Sequence, residues 1–529
     1  MKKLFILTVF IFTTFFAYSQ NNGENEITAE NVEIANNVGN IENISNTEND
    51  NTVYIIDSFN FEINGITRPF ALILAGELFI GEQIIGFSKL EEYIQTKTQL
   101  LYNHRVLESV SIEYTINDIN EDGKYPVDLL IKIKDTLNII ALPKPNYKSG
   151  QGWELTINAR DYNFLGTMSP LRVNLGIKED QHGRTFFNIM ADSNTPFRLF
   201  DLTWKFKLYN YFEYSPDMPE PIHNKTTTGL SVDLPVKNTM ITLEFYEHFI
   251  VNEANSDRNM ELYPHIGQLM EGLYMSSRPH VSWKIPTGLE IGKYGELTYI
   301  PSLSAAFNHE LPQWPLDITR KGSSLTFNHS LSFGRIDWQG NFQNGLRVEA
   351  LNSISYGINS NSTSAHIRLT GTGHHNFDNH FSLSGRLMYR HWINYDFGYE
   401  SAGDVLRGVW DNDVKADYMV SFNLDLTMGV MKFRPSEWFN VSWFRIFNMD
   451  FHLNPFLDAA IYRSSVIEKL YPDAHFTYKN LLTAAGLELI IYPLSFRSLF
   501  LRASVGFNMS TLENLRNDPE IHIGMELHY

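Results

Sequence analysis

His522-Ile523-Gly524-Met525-Glu526-Leu527-His528-Tyr529 alternates strictly. Ile521, Ile523, Met525, Leu527 and Tyr529 fall on one face of an extended strand, and His522, Gly524, Glu526 and His528 fall on the other. An apolar face backed by a polar one, ending in an aromatic ring, suits the closing strand of a membrane β-barrel. The apolar side meets lipid, the polar side meets the lumen and the ring sits at the interface.

The same texture runs backward through the chain. Leu499, Leu501, Ala503, Val505 and Phe507 alternate with Phe500, Arg502, Ser504, Gly506 and Asn508. Phe422, Leu424, Leu426, Met428 and Val430 alternate with Asn423, Asp425, Thr427 and Gly429, and Leu346–Ile358 follows the same rule. Beyond the N-terminal run, nothing approaches the roughly 18 consecutive apolar residues of a membrane helix. Aromatic residues nevertheless make up 14% of the chain. Residues 142–529 contain no long amphipathic helix, and at about 24 residues per strand and connection they predict ~16 antiparallel strands. Closing them into a barrel satisfies every backbone group, as lipid demands.

The other end predicts export. Met1-Lys2-Lys3, an apolar run from Leu4 to Phe16, and Ala17-Tyr18-Ser19 have the order of a secretory signal cleaved after Ser19. Residues 20–52 predict a disordered linker, since positions 21–52 hold 11 Asn, 7 acidic and no basic residues. The chain has no cysteine, so it has no disulfides, thiolate chemistry or lipoprotein anchor. A net charge of −18 argues against nucleic acid as a partner.

From Val53 the pattern is that of one small α+β domain, residues 53–137. Val53–Ile63 alternates as a strand and Asn64-Gly65 ends it. Pro69 opens a helix with Leu72, Leu78 and Phe79 on its buried face. Leu90, Tyr93, Ile94, Leu100 and Leu101 recur at helical spacing. Val110–Ile116 and Val127–Ile133 are two further alternating strands. Residues 138–529 are then the barrel, with Pro143 and Pro145 at the junction and Gly152–Ala159 as its first strand.

This order, with Asn64-Gly65 before the first helix, Leu100-Leu101-Tyr102-Asn103 before the second strand and Val127–Ile133 ending in Asp135, resembles a POTRA domain. That module belongs to the BamA/TamA outer-membrane assembly family. Val405-Leu406-Arg407-Gly408-Val409-Trp410 resembles the family's Val/Ile-Arg-Gly-Phe/Tyr motif, in a long sixth extracellular loop that folds back into the lumen. Phe456-Leu457-Asp458-Ala459-Ala460 resembles the Phe-x-Asp-x-Gly strand that receives the loop, and Asn423-Leu424-Asp425-Leu426 resembles its Asn-x-Glu-Leu strand. Arg160–Thr167, with Asn163 and Gly166, resembles the turn between the first two barrel strands. Ala460, Val409-Trp410 and Asp425 depart from the family pattern. The likeness covers most of residues 53–529 and is closest over the last 130.

The resemblance implies a lock between loop and lumen. Arg407 would pair with Asp458, Asp425 would be a second acceptor, Phe456 would stack on the guanidinium and Gly408 would let the backbone turn. A guanidinium in a barrel interior requires such acceptors. The resemblance also implies a closing-strand signal at His522, Gly524, Leu527 and Tyr529. The implied function is outer-membrane protein insertion or polypeptide translocation, without ATP. The implied partners are outer-membrane lipids, unfolded outer-membrane or secreted polypeptides and assembly-machine subunits. A passive channel or structural surface protein, or a dedicated polypeptide exporter, remain alternative readings on this scaffold.

His374, His375 and His380 near Asp378 fit no zinc spacing. Gly371-Thr372-Gly373 predicts a turn and lacks the third glycine of a nucleotide loop. With no Gly-x-Ser-x-Gly or His-Glu-x-x-His, the expectation is no enzyme, metal or cofactor.

Overall fold

Alternating apolar residues in 53–135 build a four-stranded sheet backed by two helices. The computed structural model describes residues 51–148, 152–179, 183–217, 222–251, 273–291, 295–310, 322–378, 380–393, 400–410, 414–463, 480–510 and 519–525. The signal and most of the linker expected at 1–52, and Leu527 and Tyr529, lie outside the described residues. Strands β1 (Val53–Asn64), β2 (Gln83–Ile85), β3 (Leu107–Ile116) and β4 (Tyr125–Asp135) stand in the order β2-β1-β4-β3. β1 and β4 are parallel, and both outer pairs are antiparallel. A short helix, Pro69–Ala75, starts on its proline, whose missing N–H costs nothing in a first turn. The longer helix, Phe87–Asn103, turns Leu90, Ile94 and Leu101 onto the sheet. Tyr54, Ile56, Val127, Leu129 and Ile131 meet them in one apolar core. Two details differ from the sequence reading. Gln83–Ile85 adds an edge strand too short for alternation to reveal. The short helix stops at Ala75, so Leu78 is buried beyond it and Phe79 is exposed.

The chain then passes into a closed antiparallel barrel. Its first members are β5 (Ile139–Lys148), β6 (Gly152–Asp161), β7 (Leu171–Glu179), β8 (Thr185–Leu199), β9 (Leu202–Tyr214) and β10 (Ile222–Val236). There follow β11 (Thr239–Val251), β12 (Leu273–Glu290), β13 (Glu296–Glu310), β14 (Gly322–Gln339), β15 (Phe342–Gly357), β16 (Ser362–Asn376) and β17 (Phe381–Ile393). A long loop carries β18 (Glu400–Ser401) and β19 (Lys415–Ala416), which pair only with each other. The wall resumes with β20 (Tyr418–Phe433), β21 (Met449–Arg463), β22 (Asn480–Pro493), β23 (Leu501–Asn508) and β24 (Glu520–Gly524).

The wall therefore has 18 strands, where spacing predicted about 16. One source of the difference is β5. Ile139–Lys148 is the first barrel strand, Gly152–Asp161 the second, and Asn163 and Gly166 lie in the turn between the second and third. Pro143 and Pro145, expected at a junction, lie inside β5, paired with Ile157 and Leu155 of β6. Proline cannot donate to a ladder and is confined to weakly paired edges. Among the described residues the seam registers His522 with Lys148 and Ile523 with Tyr147. Gly371 and Gly373, expected in a turn, lie within β16.

Along β20 the two faces separate sharply. Phe422 and Leu426 are 42% and 39% exposed on the outside, while Asn423 and Asp425 are 0% and 5% exposed on the inside. An outer wall of exposed Phe, Leu, Ile and Val around a polar interior has the pattern of a membrane barrel. No described helix is long and apolar enough to cross a membrane.

Candidate functional site: a loop clamped inside the barrel

The segment Ala402–Trp410 turns inward because its apolar residues have a wall to bury against. Ala402, Val405, Leu406 and Val409 pack with Met388 of β17, Met419 of β20, Ala460 and Tyr462 of β21, and Leu482 and Ala484 of β22. A single 3₁₀ turn, Ala402–Asp404, starts the segment, and the Leu406 N–H donates to the Ala402 carbonyl at 2.8 Å.

Arg407 projects from this turn into the wall. Its Nε donates to Oδ2 of Asp458 at 3.0 Å, Nη2 to Oδ1 at 2.8 Å, and its backbone N–H to Oδ2 at 2.8 Å. Nη2 also lies 2.6 Å from Oδ1 of Asp425. The guanidinium carbon stands 3.9 Å from the ring centre of Phe456. Arg407 and Asp458 are buried, and the fork-on-carboxylate arrangement satisfies a charge pair that would otherwise be costly at this depth. Asp425 and Asp458 face the same guanidinium because β20 and β21 pair with Asn423 opposite Asp458 and Asp425 opposite Phe456.

Gly408 follows with φ of +86°. A Cβ there would meet the Phe507 backbone nitrogen at 2.8 Å and Ala484 Cβ at 3.1 Å, so only glycine fits both the turn and the approach. Its N–H donates to Oε2 of Glu520 at 2.6 Å. The loop tip is thus bonded to β21 through Arg407 and to the closing strand through Gly408. Ala460 is buried in the apolar seat of the loop, so its extra methyl is absorbed by packing.

Several residues of this site were not singled out in the sequence. Arg386 of β17 donates to the Val405 carbonyl at 3.3 Å and to Asn423 at 3.1 Å. Asn423 donates to the same carbonyl at 3.0 Å. Glu488 of β22 accepts from Asn454 at 3.1 Å and lies 3.5 Å from Arg502 of β23. Lone charges within alternating strands were the available signal for Arg386, Glu488 and Arg502. Glu520, the first residue of β24, lies outside the alternation read from Ile521 onward and offered none.

The closing-strand residues divide. His522 and Gly524 lie in β24, and Arg502 bonds the His522 ring. Ile521 and Ile523 are exposed on the outer face. Met525, expected on that face, lies beyond the strand's end and is buried with Ile140 and Leu499.

Asn163 and Gly166 take part in a second constellation. Asp135, at the end of β4, accepts from the Ile66 and Thr67 N–H groups at 2.8 and 3.1 Å and from the Thr67 hydroxyl at 2.6 Å. Asn163 Nδ2 donates to that hydroxyl at 2.7 Å, and Asn163 Oδ1 accepts from the Met168 N–H at 2.8 Å. The Gly166 carbonyl accepts from the Arg68 N–H at 2.9 Å, and a Cβ on Gly166 would meet the Ile66 oxygen at 2.1 Å. The turn therefore clasps the small domain.

A second clasp centres on Arg105. Its guanidinium lies 4.2 Å from Trp338 and 5.1 Å from Phe500, and donates to the carbonyls of Arg497 and Gly340 and to Asn341. Burial first, and the neighbouring Arg497 charge second, pull its pKa down to about 9, so it stays protonated at neutral pH. Asn103 donates to Asp337 at 2.8 Å, and Thr136 to the Ser495 carbonyl at 2.9 Å. The small domain is thus held by the barrel turns β6–β7, β14–β15 and β22–β23.

The histidines at 374–380 do other work. His374 bonds Ser384 at 2.7 Å, and Asp378 accepts from the N–H groups of His380 and Phe381 in a tight turn. Among the described residues no cluster of three or more His, Asp or Glu could hold a metal ion.

No family model and no curated protein matches the chain. The chain is similar to solved barrels. BamA from Haemophilus ducreyi lacking POTRA domains 1–3 is 14% identical, with 89% of this chain and 84% of that chain covered and a TM-score of 0.41. CdiB from Acinetobacter baumannii is 13% identical, with 89% and 73% covered and a TM-score of 0.47. CdiB from Escherichia coli is 8% identical, with 92% of each chain covered and a TM-score of 0.41.

Proposed function

We propose that this chain is an outer-membrane factor that inserts or translocates polypeptides, built on the BamA/TamA plan with one POTRA domain. The observation that carries the reading is the clamped loop. Arg407 on Asp458 and Asp425, and Gly408 on Glu520, tie a loop inside the lumen to the strand that closes the barrel. Such a clamp performs no bond chemistry. It fixes the loop and the β24 side of the seam with β5. When such a seam parts, an incoming strand can replace its backbone bonds before they face lipid.

In this reading residues 1–19 direct export, 20–52 are a linker, 53–137 lie in the periplasm and 138–529 span the outer membrane. The edge strands of the small sheet offer ladders to an unfolded outer-membrane or secreted polypeptide, or to an assembly-machine subunit. His522, Gly524, Leu527 and Tyr529 form the signal by which the barrel is itself recognised for insertion. No nucleotide or metal enters the mechanism.

Depleting the protein and quantifying the outer-membrane proteome tests this. A broad fall in other barrels is the expected result. Loss of one secreted or surface protein would mark a dedicated exporter instead. An unchanged proteome would overturn the reading and favour a channel or structural surface protein.

A further inference from the structure

The connection between β20 and β21 is unlike its neighbours on the same rim. Hairpins there turn through pairs such as Phe200-Asp201 and Gly340-Asn341. Here the chain runs from Arg434 to Asn448, through a helical turn at Pro435–Trp438 and a 3₁₀ segment at Ser442–Phe447. The segment is firmly built. Arg434 pairs with Asp450 at 2.6 Å and donates to the Met449 carbonyl at 2.9 Å. The Leu494 N–H donates to the Asn448 carbonyl at 2.9 Å, and Ser495 donates to the Arg445 carbonyl at 3.0 Å.

Yet this ordered segment turns its largest apolar side chains outward. Trp438, Phe439 and Trp443 are 61%, 64% and 51% exposed. They are gathered rather than scattered. Phe439 meets Phe444 with ring centres 5.5 Å apart, and Trp443 meets Phe444 at 4.1 Å. The cluster continues the outer apolar wall, since Val430 and Met431 at the end of β20 are also exposed. Lys432 and Arg445, both exposed, stand beside it.

We propose that the Arg434–Asn448 connection is a wedge that lies in the phospholipid leaflet on the small-domain side of the membrane. Continuity with the lipid-facing wall selects lipid as the occupant, and adjacent cations match headgroup phosphates. Indole and phenyl rings are the side chains that favour the headgroup boundary. The wedge gives the wall near the seam a fixed depth, because it sits on strands four and five places from β5 along the closing side. The proposal rests on the membrane-barrel reading above.

The cysteine-free chain allows a direct test. Phe439→Cys and Trp443→Cys, each made in the full-length protein, would carry a nitroxide label. The reconstituted protein would sit in vesicles of phosphatidylethanolamine with phosphatidylglycerol. Val430→Cys serves as the wall control and Glu121→Cys as the aqueous control. The expected result is preferential relaxation by oxygen over a nickel chelate at 439 and 443, as at 430 and opposite to 121. Labels at 439 and 443 that respond to nickel as 121 does, or to neither reagent, would overturn the wedge while leaving the barrel reading intact. A nickel-accessible label at 430 would overturn the barrel reading and the wedge with it.

Discussion

At the scale of single residues, the guanidinium of Arg407 has the most at stake. It is buried, it holds two carboxylates and it caps a ring. Removing one partner of such a pair leaves uncompensated charge, at a cost of about 3–5 kcal/mol. Arg407→Ala is therefore expected to lower the temperature at which the folded barrel loses its anomalous gel mobility. Arg407→Lys should restore little, because an ammonium cannot make the two parallel bonds. Unchanged heat-modifiability in Arg407→Ala would show that the clamp contributes nothing to barrel stability. The sequence made part of this visible. Arg407 sits in a motif-like loop, and Asp425 and Asp458 are isolated acids in alternating strands. Glu520 was illegible as a partner because it is distant in sequence from Gly408 and contacts its backbone N–H, which leaves no mark on composition.

At the scale of the element, β24 carries the seam with β5. Deleting Ile521–Tyr529 would leave β5 and β23 each with an unpaired edge, a state lipid does not tolerate. The expected outcome is loss of membrane insertion, measured by urea extraction of the membrane fraction. Normal insertion of the truncated chain would refute the closing-strand assignment. Alternation was enough to show that strands build this region and which side of each meets lipid. It could not count them, because Pro143 and Pro145 disguised β5 as a linker. Nor could it see that Gly371 and Gly373 remain in β16, where pairing with β15 and β17 on either side holds both glycines extended.

At the scale of the whole molecule, the small domain is secured to three separate turns of one rim. Arg105 is the centre of the clasp, with its charge desolvated between Trp338 and Phe500. A desolvated cation over aromatic rings is worth about 2 kcal/mol, or roughly a thirtyfold change in the docked-to-free ratio. Arg105→Ala should thus expose the Thr136–Asn138 junction to limited proteolysis while the barrel stays resistant. Cleavage at the wild-type rate would mean that Arg105 does not hold the domain. Nothing in local sequence marked this residue, because its cage comes from turns more than 200 positions away.

That separation has a bearing on how the protein matures. The Arg105 cage draws on residues 338–341 and 497–500, and Phe500 opens into the penultimate strand. The domain emerges first during synthesis, yet its resting place exists only after nearly the whole wall has been laid down. Docking is therefore a late event, and a domain found seated reports that the barrel beneath it has been completed.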